Sequence, residues 1–180
     1  MTRQFEHFPN LVTMFFTRAA EQADQPFLWR KAGGSWEALS WAHVADQVAA
    51  MATAFKNLGL NPGDRIMLVS ENRPEWCIAD LAIMAAGCVT VPTYTTNTER
   101  DHGHIIENSG ARAVIVSTAK RARTLVPAAL RSSKARIIIG IEDIRIGQSG
   151  DIAFHSWDAL IARTVGDVPA LSGQIGRAHV

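Results

Sequence analysis

Residues 59–94 read GLNPGDRIMLVSENRPEWCIADLAIMAAGCVTVPTY, and this stretch decides the fold. It begins with a predicted tight turn over residues 61–64, because proline presets φ and glycine adopts positive φ at no steric cost. Residues 65–70 follow as a short, nearly continuous apolar run. That length beside a turn predicts a strand that is covered on both faces.

A helix and a second strand complete the unit. We predict Asn72 as the helix N-cap, with Glu75 at capping-box spacing and Pro74 in the first turn. The helix is apolar nearly all round and is therefore expected to pack inside the protein. Gly87 is its expected end. Residues 88–91 then form a strand that Pro92 ends, and the unit predicts a parallel pair with a right-handed crossover.

The rest of the chain continues this alternation. Before the central unit, we predict a helix over 10–23 capped by Asn10, with Leu11, Met14, Phe15, Arg18 and Ala19 on one face, then a hairpin over 27–39 around Gly33 and Gly34, and a helix capped by Ser40. After the central unit, we predict a helix from Thr98 to Ser109 ended by Gly110, a strand over 113–116, and a helix over 118–131 that is kinked or ended by Pro127. A strand over 136–139, a turn or loop over 147–151 and a helix over 157–164 capped by Ser156 are predicted to follow. The order predicts an α/β fold with a doubly wound, mostly parallel sheet and flanking helices, plus an N-terminal helix and β-hairpin.

Composition sets the broad class. The 180 residues are 47% hydrophobic and 19% charged, which predicts one folded domain. A net charge of +1 provides no electrostatic basis for binding nucleic acid or an anionic membrane. The first nine residues lack the apolar core of a signal peptide, and no run approaches the roughly 18 apolar residues that span a bilayer. A cytoplasmic location without a nucleic-acid partner is expected.

Few side chains suggest chemistry. His102 and His104 lie two residues apart on a helix and do not share a face, so we predict solvated or capping roles. Cys77 and Cys88 are predicted to be buried thiols. The five tryptophans are predicted to serve packing, since they lack the interleaved basic residues of a single-stranded nucleic-acid groove.

A basic cluster and one loop complete the candidates. A solvated face is the favoured interpretation of the cluster Lys120, Arg121, Arg123, Arg131, Lys134 and Arg136, with an anion site as the weaker alternative. Residues 94–97 leave the carboxyl end of a predicted parallel strand, where such sheets bind ligands. Turn formation is the favoured interpretation of this loop, and lining of a ligand pocket is the alternative. No phosphate-binding loop, dinucleotide fingerprint or nucleophile elbow occurs.

Three segments resemble a known family. LGLNPGDRI at 58–66, SENRPEW at 70–76 and AAGCVTVPTY at 85–94 are similar to the words LGLKPGDRV, SENRPEW and AAGAVTVPIY of the adenylate-forming (AMP-binding) superfamily. The likeness is greatest to its long-chain fatty-acid–CoA ligases (acyl-CoA synthetases). It extends through Thr96–Thr98 and residues 107–117. At residues 39–44, Trp41, His43 and Val44 depart from the family's L-[ST]-Y-x-E-L pattern.

This resemblance implies a larger protein. Ligases of the family use ATP, Mg²⁺ and CoA to activate a fatty acid, and their phosphate loop is similar to YTSGTTGxPKG, which no segment here matches. We therefore expect residues 1–174 to be the N-terminal part of a ligase domain, inactive alone, whose partner is the C-terminal part of the same ligase. Residues 175–180, Ile-Gly-Arg-Ala-His-Val, are also what a common sequencing adapter encodes, and they are expected to be an artefactual tail.

The sequence assigns no catalytic, cofactor-binding or metal-ligating residue. Fatty acid and CoA are the expected substrates of the intact ligase, membrane contact is expected to be at most peripheral, and a homodimer is a possible assembly. Two other interpretations stay open. One is a different adenylate-forming ligase: a medium-chain or aryl-acid ligase, or a peptide-synthetase adenylation domain. The other is a non-catalytic α/β binding module. A ligase fragment should expose an apolar sheet edge or face, whereas a free-standing module should not.

Overall fold

The computed structural model describes residues 6–144 and 151–166. Its elements are α1 Leu11–Gln22, β1 Pro26–Ala32, β2 Ser35–Ser40, α2 Trp41–Asn57, β3 Arg65–Val69, α3 Pro74–Ala85, β4 Val89–Pro92, α4 Glu99–Ser109, β5 Ala113–Val116, α5 Ala119–Arg131, β6 Ile137–Gly140, β7 Ala153–Ser156 and α6 Trp157–Arg163. The predicted α/β class is confirmed. Most of the predicted 147–151 turn lies outside the described residues.

The main sheet is parallel and has the strand order β4-β3-β5-β6-β7, while β1 and β2 form a separate antiparallel hairpin. From β3 the chain places β4 on one side and then β5 on the other. The strand order thus reverses between β3 and β5, which makes their carboxyl ends a topological switch point. Strand β7 was not predicted, because its four residues include only one large apolar side chain, Phe154.

Helices cover both faces of this sheet. On one face Ile66, Leu68 and Ile115 pack in a core with α1, α2, α3 and α6. On the other face Met67, Val69 and Val114 pack against α4 and α5. The prediction of strands covered on both sides is confirmed, since successive side chains of a strand point to opposite faces.

The predicted turn and helix end of the 59–94 unit are confirmed. The Asp64 N–H donates to the Asn61 carbonyl at 2.9 Å, and Gly63 has φ of 85°. After α3, Gly87 has φ of 78°. Its N–H donates to the Met84 carbonyl at 2.9 Å, and the Cys88 N–H donates to the Ile83 carbonyl at 3.0 Å. These two bonds form a Schellman motif, which satisfies carbonyls at the helix end.

The predicted N-cap of α3 is wrong by one residue. Arg73 is the N-cap, with φ of −154° and ψ of 158°, and makes no side-chain capping bond. Proline clashes with a helical conformation in the residue before it. Pro74 therefore holds Arg73 extended, and the helix begins at Pro74 itself, leaving Asn72 outside.

Two further helix predictions need correction. Helix α5 continues through Pro127 to Arg131, so this proline does not end it. In α1 the buried residues are Val12, Phe15, Phe16 and Ala19, whereas Leu11 and Met14 are exposed. The helix is turned so that two adjacent phenylalanines are buried, because aromatic side chains bury the most apolar area. Within the described part of the chain, no helix has the length and apolarity to cross a bilayer.

Candidate functional site

The switch point between β3 and β5 carries a polar cluster. Ser70 and Glu71 follow β3, and Ser117 and Thr118 follow β5. Ser117 is fully buried. Open α/β sheets bind ligands outside the carboxyl ends of their strands, at such a switch point. This cluster is therefore the candidate site of the described chain.

Glu71 is at the centre of the cluster, and both of its carboxylate oxygens are engaged. Oε1 accepts from Nε of Arg121 at 2.7 Å, and Oε2 accepts from the Ser117 hydroxyl at 2.5 Å. Nη1 of Arg121 also donates to the Thr95 carbonyl at 2.9 Å. The network therefore joins the ends of β3 and β5, the first turn of α5 and the loop after β4.

The charge state of Glu71 follows from these contacts. Burial raises the pKa of its carboxyl group, but hydrogen bonds from Ser117 and Arg121 outweigh that effect and hold the pKa at about 2. Glu71 is thus ionised at neutral pH and is paired with a cation. A general acid or base needs a pKa near the working pH. Glu71 is therefore not poised for proton transfer near neutrality, and its bonds hold the ends of β3 and β5 together.

A second ion pair network lies beside the first. Nε of Arg73 is 2.7 Å from Oε2 of Glu75, and its Nη1 is 2.9 Å from Oε1 of Glu142. Burial lowers the pKa of the Arg73 guanidinium, but the two carboxylates raise it to a net value above its ordinary one. The network links the start of α3 to the segment after β6.

A cleft of about 580 Å³ opens between this edge of the sheet and the hairpin. One wall includes Trp29, Lys31 and Trp36, and the other includes Glu71 and Arg73. Trp29 is 53% exposed and Trp36 is 66% exposed. In the hairpin register Lys31 pairs with Trp36, so the three side chains share one face.

Packing was the predicted role of all five tryptophans, and this is wrong for Trp29 and Trp36. It is confirmed for Trp157, which is 2% exposed, and for Trp41, whose ring stacks on Phe27 with centroids 3.7 Å apart. Trp76 also packs against the core. The hairpin carries apolar residues on both faces, with Leu28 and Leu39 toward the core, so alternation alone could not identify its exposed face.

His102, His104, Cys77 and Cys88 make none of the hydrogen bonds that hold the polar cluster together. His102 is buried rather than solvated, and His104 is exposed, so only the statement that they do not share a face is confirmed. The thiols of Cys77 and Cys88 are free, with Cys88 buried and Cys77 half-buried. Burial, with a smaller effect of Asp64, raises the pKa of Cys88 to about 11. A thiol that stays protonated is a poor nucleophile.

The predicted solvated basic face is largely confirmed. Lys120, Arg123, Arg131, Lys134 and Arg136 are exposed, and Arg131 pairs with Glu99. Arg121 is the exception, since it is only 24% exposed and bonds to Glu71. The loop 94–97 reaches the site through the Thr95 carbonyl, while Tyr94 is 80% exposed. No local feature of the sequence separates Arg121 from its neighbours.

The polar cluster at the switch point is paired internally. Across residues 6–144 and 151–166, no group of three or more His, Cys, Asp or Glu side chains could hold a metal ion. At the switch point both oxygens of Glu71 are already bonded, and the charge of Arg121 is neutralised by Glu71.

Residues 15–160 match the family model described as AMP-binding enzyme. The chain belongs to the AMP-binding enzyme family. Among curated relatives it is 34% identical over 109 residues to the long-chain-fatty-acid–CoA ligase FadD15 of Mycobacterium tuberculosis, covering 61% of this chain and 18% of that ligase. It is 30% identical over 119 residues to the mitochondrial acyl-coenzyme A synthetase ACSM5 of Homo sapiens, covering 63% of this chain and 21% of the synthetase. These matches thus span only about a fifth of either relative.

Solved structures share the fold. A benzoate CoA ligase from Burkholderia xenovorans LB400 superposes with a TM-score of 0.71 at 24% identity, covering 86% of this chain and 28% of that one. A coronafacic acid ligase from Pectobacterium brasiliense has a TM-score of 0.74 at 19% identity, covering 86% and 30%. The predicted superfamily and the α/β fold are confirmed.

Proposed function

We propose that residues 1–174 are the N-terminal part of an ATP-dependent long-chain fatty acid–CoA ligase, and that residues 175–180 are not part of its natural sequence. The observation that carries this proposal is the 34% identity over 109 residues to a long-chain-fatty-acid–CoA ligase. The segment SENRPEW at residues 70–76 supports it, because it is similar to the same word in long-chain fatty-acid–CoA ligases.

The intact ligase would catalyse two displacements. A carboxylate oxygen of the fatty acid bonds to the α-phosphorus of ATP, and the bond from that phosphorus to pyrophosphate breaks. The CoA thiolate then bonds to the acyl carbon, and AMP leaves with the electrons of the acyl–oxygen bond. The phosphates require cations, which Mg²⁺ and basic side chains supply in such reactions.

The described residues contribute a scaffold to this reaction. The Glu71–Arg121 and Arg73–Glu142 pairs fix the carboxyl edge of the sheet. They leave no unpaired carboxylate there for Mg²⁺, since Glu71, Glu75 and Glu142 are each bonded to an arginine. We therefore propose that the 180-residue chain alone is inactive, and that ATP, Mg²⁺ and CoA are held by the rest of the ligase. A cytoplasmic location, peripheral membrane contact at most, and a homodimer stay predictions of this proposal.

Genomic sequencing tests the proposal that residues 1–174 belong to a longer ligase and that residues 175–180 are not part of its natural sequence. We expect the reading frame beyond the codon for Gln174 to continue into a loop rich in serine, threonine and glycine that ends in lysine, with residues 175–180 absent. A stop codon directly after Val180 in the genome would contradict the ligase proposal for this polypeptide and leave a non-catalytic binding module.

An activity assay of the full-length protein tests the substrate class. We expect fatty-acid-dependent formation of AMP and an acyl-CoA thioester with a long-chain acid such as palmitate, and little with benzoate or a free amino acid. A preference for a medium-chain acid, benzoate or an amino acid would replace the long-chain assignment by another adenylate-forming ligase. The 180-residue chain serves as the control and should form no acyl-AMP.

A further inference from the structure

Most surfaces of the sheet are closed to further packing. Both faces are covered by helices, so the exposed apolar sheet face expected of a ligase fragment is not found within the described residues. At the β4 edge, Val89 N–H donates inward to Asp64 and Thr93 N–H donates inward to Leu68. Because backbone groups alternate in direction along a strand, those of Thr90 and Pro92 face outward, and Pro92 has no N–H. Proline at the outward position blunts an edge strand.

The opposite edge offers little more. Strand β7 is four residues long and runs directly into α6. The Ala153 N–H donates inward to the Arg136 carbonyl, so in β7 only the backbone groups of Phe154 and Ser156 face outward. A new strand could form few hydrogen bonds at either edge. Within the described residues the sheet therefore meets the expectation for a free-standing module, and the apolar sheet edge or face predicted for a ligase fragment is not found.

The carboxyl edge of the sheet is different, because the exposed aromatic side chains gather there. Among the residues that the structure describes, the exposed aromatics are Trp29, Trp36 and Tyr94. The two tryptophans line the cleft of about 580 Å³, and Tyr94 precedes the Thr95 carbonyl that Arg121 binds. Tryptophan and tyrosine are enriched at the centres of protein interfaces.

The charge of this hairpin face indicates which kind of partner would bind it. Lys31 lies between the two tryptophans on the same hairpin face and is exposed. Within the described part of the chain it has no ion-pair partner, whereas the neighbouring Arg30 is paired with Glu37. An apolar segment with one carboxylate would complement this face, because an unpaired cation between two exposed rings favours an anion beside an apolar group.

We propose that the hairpin face of Trp29, Lys31 and Trp36, with its cleft against the ends of β3 and β6, docks the downstream part of the same ligase polypeptide. The docking segment presents apolar side chains and a carboxylate. This inference rests on the proposed function. The relatives supply the reason for the occupant, since the matched segments cover only 18% and 21% of their length, and the rest of such a ligase is long enough to cover this face.

Site-specific labelling tests the proposal. Cysteine is introduced by Lys31→Cys and, separately, by Trp36→Cys, in both the 180-residue chain and the full-length protein encoded by the continued reading frame. The rate of maleimide labelling at each position is read by peptide mass mapping. We expect labelling to be at least about tenfold slower in the full-length protein, because interface centres exclude water. Leu11→Cys, at an exposed position of α1, is the matched control and should label equally in both.

The outcomes separate this inference from the proposed function. Equal labelling at positions 31 and 36 in a full-length protein that forms acyl-AMP overturns the docking surface alone. A full-length protein that forms no acyl-AMP overturns the proposed function, while labelling still decides the docking. Protection that grows with the concentration of the 180-residue chain makes the occupant a second copy and overturns the proposed one. If Leu11→Cys is also labelled more slowly in the full-length protein, the proposed docking surface is overturned, because the protection is then not specific to the cleft.

Discussion

Nε of Arg121 donates to Oε1 of Glu71 over 2.7 Å, across the switch point between β3 and β5. The two residues are 50 positions apart in the sequence. The same carboxylate accepts from Ser117, and the same guanidinium holds the loop after β4 through the Thr95 carbonyl. The side chains of this pair occupy the position at which other open α/β sheets bind a ligand.

Replacing Glu71 by glutamine should destabilise the chain and change its acid sensitivity. The pKa of Glu71 is about 2 in the folded chain and 4.5 ordinarily. A depressed carboxyl pKa stabilises the fold fully above the ordinary value, and this stabilisation is lost as pH falls through the folded value. Because the Glu71 side chain is 39% exposed, solvent screening reduces the loss in Glu71→Gln to about 1 kcal/mol at neutral pH.

Urea denaturation from neutral pH to about pH 2 measures this effect. The difference in unfolding free energy between the parent chain and Glu71→Gln should shrink between about pH 4.5 and about pH 2. Glu37→Gln is the control, because the Arg30–Glu37 pair is half-exposed on both sides and should contribute under about 0.5 kcal/mol. Equal losses in the two variants would show that the Glu71 network has no special strength.

His102 should make the chain less stable at mildly acidic pH. It is 1% exposed, and among the described residues its Nδ1 has no hydrogen-bond partner. Burial lowers the pKa of His102 below its ordinary 6.5, although Asp101 opposes this effect. Between the lowered value and 6.5 the unfolded chain binds more protons, so stability falls as pH drops below 6.5.

His102→Leu should therefore weaken the fall in unfolding free energy between about pH 7.5 and about pH 5. The exposed neighbour His104→Gln should leave that fall as it is in the parent chain. Chemical denaturation at several pH values gives the comparison. A pH profile of His102→Leu identical to that of the parent chain would rule out His102 as the origin.

Two glycines of α4 should respond to alanine in opposite directions. Gly110 ends the helix with φ of 65°, and a Cβ there would lie 2.6 Å from Nη2 of Arg65. Gly103 is inside the helix, and a Cβ added there would meet no atom of another part of the protein within 4 Å. Gly110→Ala should cost about 1–3 kcal/mol, whereas Gly103→Ala should stabilise by about 0.5–1 kcal/mol. Thermal or urea unfolding of the two variants decides it, and changes of the same sign would contradict the geometry.

The corrected start of α3 can be tested against a true cap. Thr98 makes a capping box with Asp101, whose Oδ2 accepts from the Thr98 N–H at 2.9 Å. Thr98→Ala should lower the unfolding free energy by about 1 kcal/mol. Asn72 is exposed and lies outside α3, so Asn72→Ala should change it by less than about 0.5 kcal/mol. A loss at Asn72 as large as that at Thr98 would restore Asn72 as the cap.

Much of the fold was predictable from local patterns. The strands β3, β5 and β6 are mostly runs of aliphatic residues, and two-sided burial in a parallel sheet selects such runs. The caps Asn10, Ser40, Thr98 and Ser156 were also predictable, because a capping side chain bonds within three residues of itself. Strand β7 was not, since its pairing with β6 depends on a neighbour rather than on its own composition.

The candidate site was much less predictable. Arg121 belongs to a run of similar basic residues, and only its position opposite Glu71 distinguishes it. Likewise, the sequence around the exposed Trp29 and Trp36 does not distinguish them from the three tryptophans that pack in the core. No pattern within ten residues of either site carries the information that places these side chains.

By itself the sequence determined the helices, the strands other than β7, the parallel α/β class and the likeness to adenylate-forming ligases. These depend on periodicity, caps and short ordered words, which are properties of neighbouring residues. Only the tertiary structure decided that Arg121 is paired, that His102 is buried, and that Trp29 and Trp36 face a cleft. Burial and ion pairing of these side chains depend on contacts between residues far apart in the chain, and such contacts exist only once the sheet and its helices have packed.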